Sequence, residues 1–99
     1  MDPSRIRLTC DCRGVVQGVG FRPALYRLAC QAGIGGSIQN RAGAVRLVLE
    51  GPRSAVEDFL ARLPARLPPQ ARLESLAVVE TCPLPADAAP SPFAILESA

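Results

Sequence analysis

Gly14-Val15-Val16-Gln17-Gly18-Val19-Gly20-Phe21-Arg22-Pro23 is the stretch on which the reading of this chain turns. Before it, Ile6 to Val15 alternates, with Ile6, Leu8, Cys10 and Cys12 on one face and Arg7, Thr9, Asp11 and Arg13 on the other, the pattern of a half-buried strand. After it, Pro23 suits the first turn of a helix, and Leu25, Leu28, Ala29 and Ala32 follow helical spacing until Gly33 offers a C-terminal cap. The stretch is therefore a glycine loop joining a strand to a helix. Amides of such a loop can converge on one anion, and a helix N-terminus adds unpaired N–H groups and partial positive charge. Arg22 falls at that helix start, where its planar fork can take two phosphate oxygens. A strand-to-helix glycine turn is as often only a tight turn, and Gly18-x-Gly20 lacks the longer dinucleotide fingerprint, so composition here does not name the ligand.

Outward from this loop, Gly35-Gly36 leads into an extended piece, Ser37 to Arg41. Ala42-Gly43 makes a turn, and Val45, Leu47 and Leu49 alternate inward along Ala44 to Glu50, which predicts a hairpin. Gly51-Pro52 opens a second helix with Val56, Phe59, Leu60 and Leu63 on one narrow stripe, ending before Pro64. A proline-rich connection, Pro64 to Gln70, precedes a fourth strand, Arg72 to Thr81. Leu76 and Val78 are its expected inward residues, with Leu73, Ala77 and Val79 as the competing face. Pro83 to Pro92 reads as an irregular connector, and Phe93, Ile95 and Leu96 as a short final edge strand. The order β-α-β-β-α-β predicts an α+β, ferredoxin-like two-layer sandwich, with two helices on one face of an antiparallel sheet. One domain is expected over residues 1–99, its core about 5–81, with 82–99 as connector and tail strand.

With 99 residues, 48% of them hydrophobic, the chain suits one core. It has eleven arginines, no lysine and no histidine. That excludes Schiff-base chemistry, a Walker-type loop, phosphohistidine and histidine triads. Arginine is scattered from Arg5 to Arg72 without a run, which argues against a nucleic-acid tract. Phe21, Tyr26, Phe59 and Phe93 fall in a loop, two helices and the tail, where they would not stack on bases. No apolar run reaches membrane-spanning length and Met1 to Arg7 is no signal peptide, so no membrane association and a cytoplasmic location are expected. Cys10 and Cys12 share a strand face, but a closed zinc site would also need Cys30 and Cys82, so free, small buried thiols are the expected reading. Asp11 and Asp58 are expected as solvated surface charges. No metal and no cofactor are expected.

The run Gly14 through Arg22 closely resembles the acylphosphatase signature G-x-V-Q-G-V-G-F-R. Gly36-Ser37-Ile38-Gln39-Asn40 is similar to that family's G-x-V-x-N strand, and Glu50-Gly51-Pro52 with the second helix extends the likeness over Arg5 to about Glu80. The resemblance implies that Arg22 binds phosphate and that Asn40 orients the attacking water. It also implies a cradle formed by Val16, Gln17, Gly18, Val19, Gly20 and Phe21. Water would attack phosphorus in line, a carboxylate would leave, and no covalent intermediate would form.

Within the family, Phe21-Arg22-Pro23-x-x-Tyr26-Arg27-Leu28-Ala29 and the tail Pro92 to Ser98 resemble the N-terminal domain of the HypF carbamoyltransferases, which mature nickel-iron hydrogenases. The resemblance implies an excised domain that splits carbamoyl phosphate, or another acyl phosphate, into inorganic phosphate and carbamate or carboxylate. Its partners would be downstream domains of a larger chain and the hydrogenase-maturation proteins. A free-standing general acylphosphatase and a non-catalytic phosphate-binding module are the alternatives.

Overall fold

The computed structural model describes residues 5–16, 20–85, 87 and 91–97. In chain order the elements are β1 (Arg5–Val15), α1 (Phe21–Ala32), β2 (Gly35–Arg41), β3 (Ala44–Pro52), α2 (Arg53–Arg62), a 3-10 turn (Leu63–Arg66), β4 (Arg72–Leu84) and β5 (Phe93–Leu96). They form one sheet in the order β4-β1-β3-β2-β5 with two helices on one face, the ferredoxin-like α+β arrangement.

Alternation decides which way each strand faces. Ile6, Leu8, Cys10 and Cys12 of β1 and Val45, Leu47 and Leu49 of β3 are buried together beneath Leu25 and Ala29 of α1 and Val56, Phe59 and Leu63 on and just beyond α2. On α1 the buried residues are Phe21, Ala24, Leu25 and Ala29, whereas Ala32, in the last turn, is exposed. Gly33 ends α1 in the left-handed conformation, its N–H donating to the carbonyls of Ala29 and Cys30.

Three details depart from the sequence reading. β4 runs to Leu84, three residues past Thr81, because Arg5, Ile6 and Arg7 continue the ladder opposite Leu84, Pro83 and Cys82. Leu76 and Val78 lie opposite Cys12 and Cys10 and so share the inner face, yet Val78 remains 53% exposed. This edge strand overhangs the helices. β5 joins the sheet parallel to β2, with Gly36 opposite Phe93 and Gln39 opposite Leu96, while every other pairing is antiparallel. Phe93 is buried, its ring meeting Tyr26 of α1 edge-on at a centroid distance of 6.2 Å. Among the described residues no helix is long and apolar enough to cross a membrane.

Candidate active site

Strands β1 and β2 are each antiparallel to β3, so they point the same way and end at the same edge of the sheet, at Val15 and Arg41. Helix α1 begins at this edge too. Its twelve residues rise about 18 Å, and the Gly33 cap then folds the chain back into β2, where Gly35 to Asn40 covers about 17 Å. The first turn of α1, with Arg22, therefore returns to the level of Asn40. Both are partly exposed at the rim of a buried core.

Asn40 pairs with Val45, Val45 with Cys12, and Cys12 with Leu76, one rung across four strands on the helix-covered face. Its carboxamide oxygen Oδ1 is buried and has no hydrogen-bond partner among the described residues. A buried acceptor left so costs about 1–3 kcal/mol unless a ligand or water supplies a donor.

The start of α1 is open to an anion. Gly20, at φ 78°, sits at the N-cap in the left-handed region, where a residue with a Cβ is disfavoured, and no side chain caps the helix. Its carbonyl accepts from the N–H of Ala24 at 3.1 Å. No acidic residue occupies the first turn. Arg22 is there instead, a cation at the positive end of the helix dipole, which opposes local stability and favours a bound anion. Phe21 and Val16, 1% and 3% exposed, anchor the two ends of the loop in the core. Gln17, Gly18 and Val19, the middle of the expected cradle, lie outside the described residues.

Facing this edge is a cleft of about 360 Å³, lined among the described residues by Gly14, Val15, Val16, Gly43 and Ala44. In the sequence Gly43 reads only as part of a turn and Ala44 only as the start of a strand. What places them opposite the loop is the register of Arg41 on Ala44 across the hairpin.

Asp11 is not the solvated charge its outward position suggests. Its side chain is only 16% exposed, and Arg46 on β3 donates to it from Nε at 2.7 Å and from Nη2 at 3.1 Å. That pairing, helped by Arg13 and Arg41, holds the Asp11 carboxyl below its ordinary range despite partial burial. Asp58 is exposed and meets Arg62 at 3.1 Å. All four cysteines are free; Cys10 and Cys12 are buried, Cys30 is exposed and Cys82 is intermediate. A hydrogen bond with Cys12 and burial push the Cys10 thiol upward. Among the described residues no three His, Cys, Asp or Glu side chains cluster as metal ligands.

The acylphosphatase family model matches residues 9–95. The carbamoyltransferase HypF2 of Cupriavidus necator is 40% identical over 97 residues, covering 98% of this chain and 12% of its own length. The acylphosphatase of Rhizorhabdus wittichii is 39% identical over 80 residues, 80% of each protein. Among solved structures, full-length HypF superimposes with a TM-score of 0.80 at 21% identity, over 99% of this chain and 12% of that one. The acylphosphatase of Bacillus subtilis gives 0.79 at 25% identity, over 92% and 98%. The chain thus spans about an eighth of the length of the HypF proteins and most of the length of the small acylphosphatases.

Proposed function

The chain belongs to the acylphosphatase family, and from that premise we propose that it hydrolyses acyl phosphates, with carbamoyl phosphate as the substrate within a larger hydrogenase-maturation carbamoyltransferase. The observation that carries the reading is the buried Oδ1 of Asn40, without a partner among the described residues, at the edge where α1 presents its N-terminus and Arg22.

In this scheme Arg22 and the amides of the loop bind the equatorial phosphoryl oxygens and offset the charge that grows there as the bond to the leaving group lengthens. Asn40 Oδ1 accepts a hydrogen bond from water and aims its oxygen lone pair at phosphorus. The P–O bond to the acyl carbon's oxygen breaks, and its electron pair leaves with carbamate or carboxylate. The water oxygen becomes the fourth phosphate oxygen, giving dihydrogen phosphate, which then loses a proton to solvent at neutral pH. The leaving group departs without being protonated, so the absence of histidine is no obstacle.

Residues 1–99 act here as one domain, and the further domains of the HypF-type protein carry the carbamoyl group onward, in the cytoplasm. The test is phosphate release from carbamoyl phosphate and from benzoyl phosphate. Release from both, lost in Arg22→Ala and Asn40→Ala, supports a general acylphosphatase site; release from carbamoyl phosphate alone supports the hydrogenase-maturation role. A folded protein that binds phosphate and releases none overturns the hydrolase reading.

A further inference from the structure

The edge that holds Arg22 and Asn40 is also where the outer face of the sheet turns positive. Arg13 is exposed two residues before the end of β1, and its Nη1 donates to the carbonyl of Gly43 at 2.9 Å, which fixes the guanidinium beside the cleft. Arg41 follows Asn40 directly and is exposed. Asp11 is within electrostatic reach of both, but its two oxygens are taken by Arg46. Arg72 adds a further charge opposite Val15, while Glu74 and Glu97 are the other carboxylates of this edge among the described residues. Arginines here outnumber carboxylates among the described residues, whereas toward the opposite edge Glu50 and Glu80 balance Arg5 and Arg7 on the same face.

We infer that Arg13 and Arg41 form a charged rim outside the contact shell of the phosphoryl group, which raises the affinity of the site for dianionic phosphates, with Asp11 as its attenuator. The inference rests on the proposed phosphate site and adds to it residues that no phosphate-contacting motif includes. A unit charge about 8 Å from a dianion, at low salt where the screening length is roughly 20 Å, changes affinity by roughly threefold through water. The attraction acts on binding and is indifferent to the chemical step, so the effect falls on KM and not on kcat.

The experiment measures kcat and KM for acyl phosphate hydrolysis, and the dissociation constant of inorganic phosphate by NMR. It is run at about 20 mM and about 500 mM salt, where the screening length falls from roughly 20 Å to 4 Å. Arg13→Gln and Arg41→Gln should each raise KM and the phosphate constant about threefold at low salt, and the pair together about tenfold. Asp11→Asn should lower both about threefold, and at high salt all variants should converge on the wild type. Arg53→Gln, on the first residue of α2 at the opposite end of β3, makes the same change in net charge and should shift nothing. Variants with wild-type constants and an unchanged salt slope would overturn the inference. Salt-dependent phosphate binding without turnover would leave the rim standing and remove the hydrolase; a folded protein that does not bind phosphate would remove both.

Discussion

Arg46 holds Asp11 across the β1–β3 ladder in a two-pronged grip, Nε to Oδ1 at 2.7 Å and Nη2 to Oδ2 at 3.1 Å. The Asp11 carboxyl is depressed in the folded chain, chiefly by this hydrogen bond. Its contribution is therefore complete above the ordinary carboxylate range and is lost as pH falls through the folded value. Asp11→Asn should cost about 1 kcal/mol in urea unfolding at pH 7, and the difference should close as pH falls below the ordinary carboxylate range and through the depressed folded value. The same variant should bind phosphate more tightly, so the two readouts move in opposite directions.

Arg22→Ala should lower kcat/KM by about a hundredfold or more, the scale of losing a principal charge-stabilising donor. It should also raise thermal stability slightly, by about 0.3–1 kcal/mol, because it removes a cation from the wrong end of α1. Calorimetry beside steady-state kinetics checks both signs, and a stability loss would mean that the guanidinium supports the fold.

Asn40→Ala should reduce kcat by about a hundredfold while phosphate still binds, since Oδ1 serves the water and not the phosphoryl oxygens. Among the described residues Oδ1 has no partner to lose, and relief of its unmet hydrogen bond is offset by the packing lost with the side chain, so unfolding should show a change within about 1 kcal/mol of zero. Loss of phosphate affinity in step with kcat would assign Asn40 to substrate binding instead.

Two glycines should respond differently to alanine. At Gly36, φ is 128° and a Cβ would fall 1.9 Å from the carbonyl oxygen of Val48, so Gly36→Ala should destabilise by about 3 kcal/mol or more. Gly20 has φ 78° but no described atom within 4 Å of where a Cβ would sit, and Gly20→Ala should cost about 1 kcal/mol. Urea titration of the two variants ranks them directly.

Thiol reactivity offers a check on the core. Cys30 should react with an aromatic disulfide reagent at once, and Cys82 more slowly, since Glu80 accepts its hydrogen bond at 3.1 Å and raises its pKa. Cys10 and Cys12, both 0% exposed, should react only on unfolding. Rapid labelling of all four would contradict the burial of β1.

Much of the fold is written in local pattern. The period-two alternation of β1 and β3 and the stripe Val56-Phe59-Leu63 each specify a face, and the left-handed Gly33 cap fixes where α1 stops. What the sequence left open depends on neighbours. The length of β4 is set by pairing with Arg5 to Arg7, and the exposure of Val78 by helices that do not reach the edge strand. For the candidate site, Arg22 and Asn40 were read from motifs that resemble the acylphosphatase signatures, and the structure places them at the start of α1 and near the end of β2. The covering of Asp11 was not legible, because Arg46 reaches it only across the strand pairing. Gly43 and Ala44 gave no chemical signal, since their part is to shape a cleft with backbone and a methyl group.

The return of the chain at Gly33 also bears on the order in which the molecule assembles. Arg22 and Asn40 are brought to the same end of the sheet by one short reversal from α1 into β2, whereas β4 must close onto β1 from much farther along the chain. Loop-closure entropy favours the short reversal, and β4 as an edge strand holds only one neighbour. A partly opened molecule that has released β4 would thus keep its arginine and asparagine in register. Hydrogen exchange should find the β4 amides opening well before those of α1 and β2.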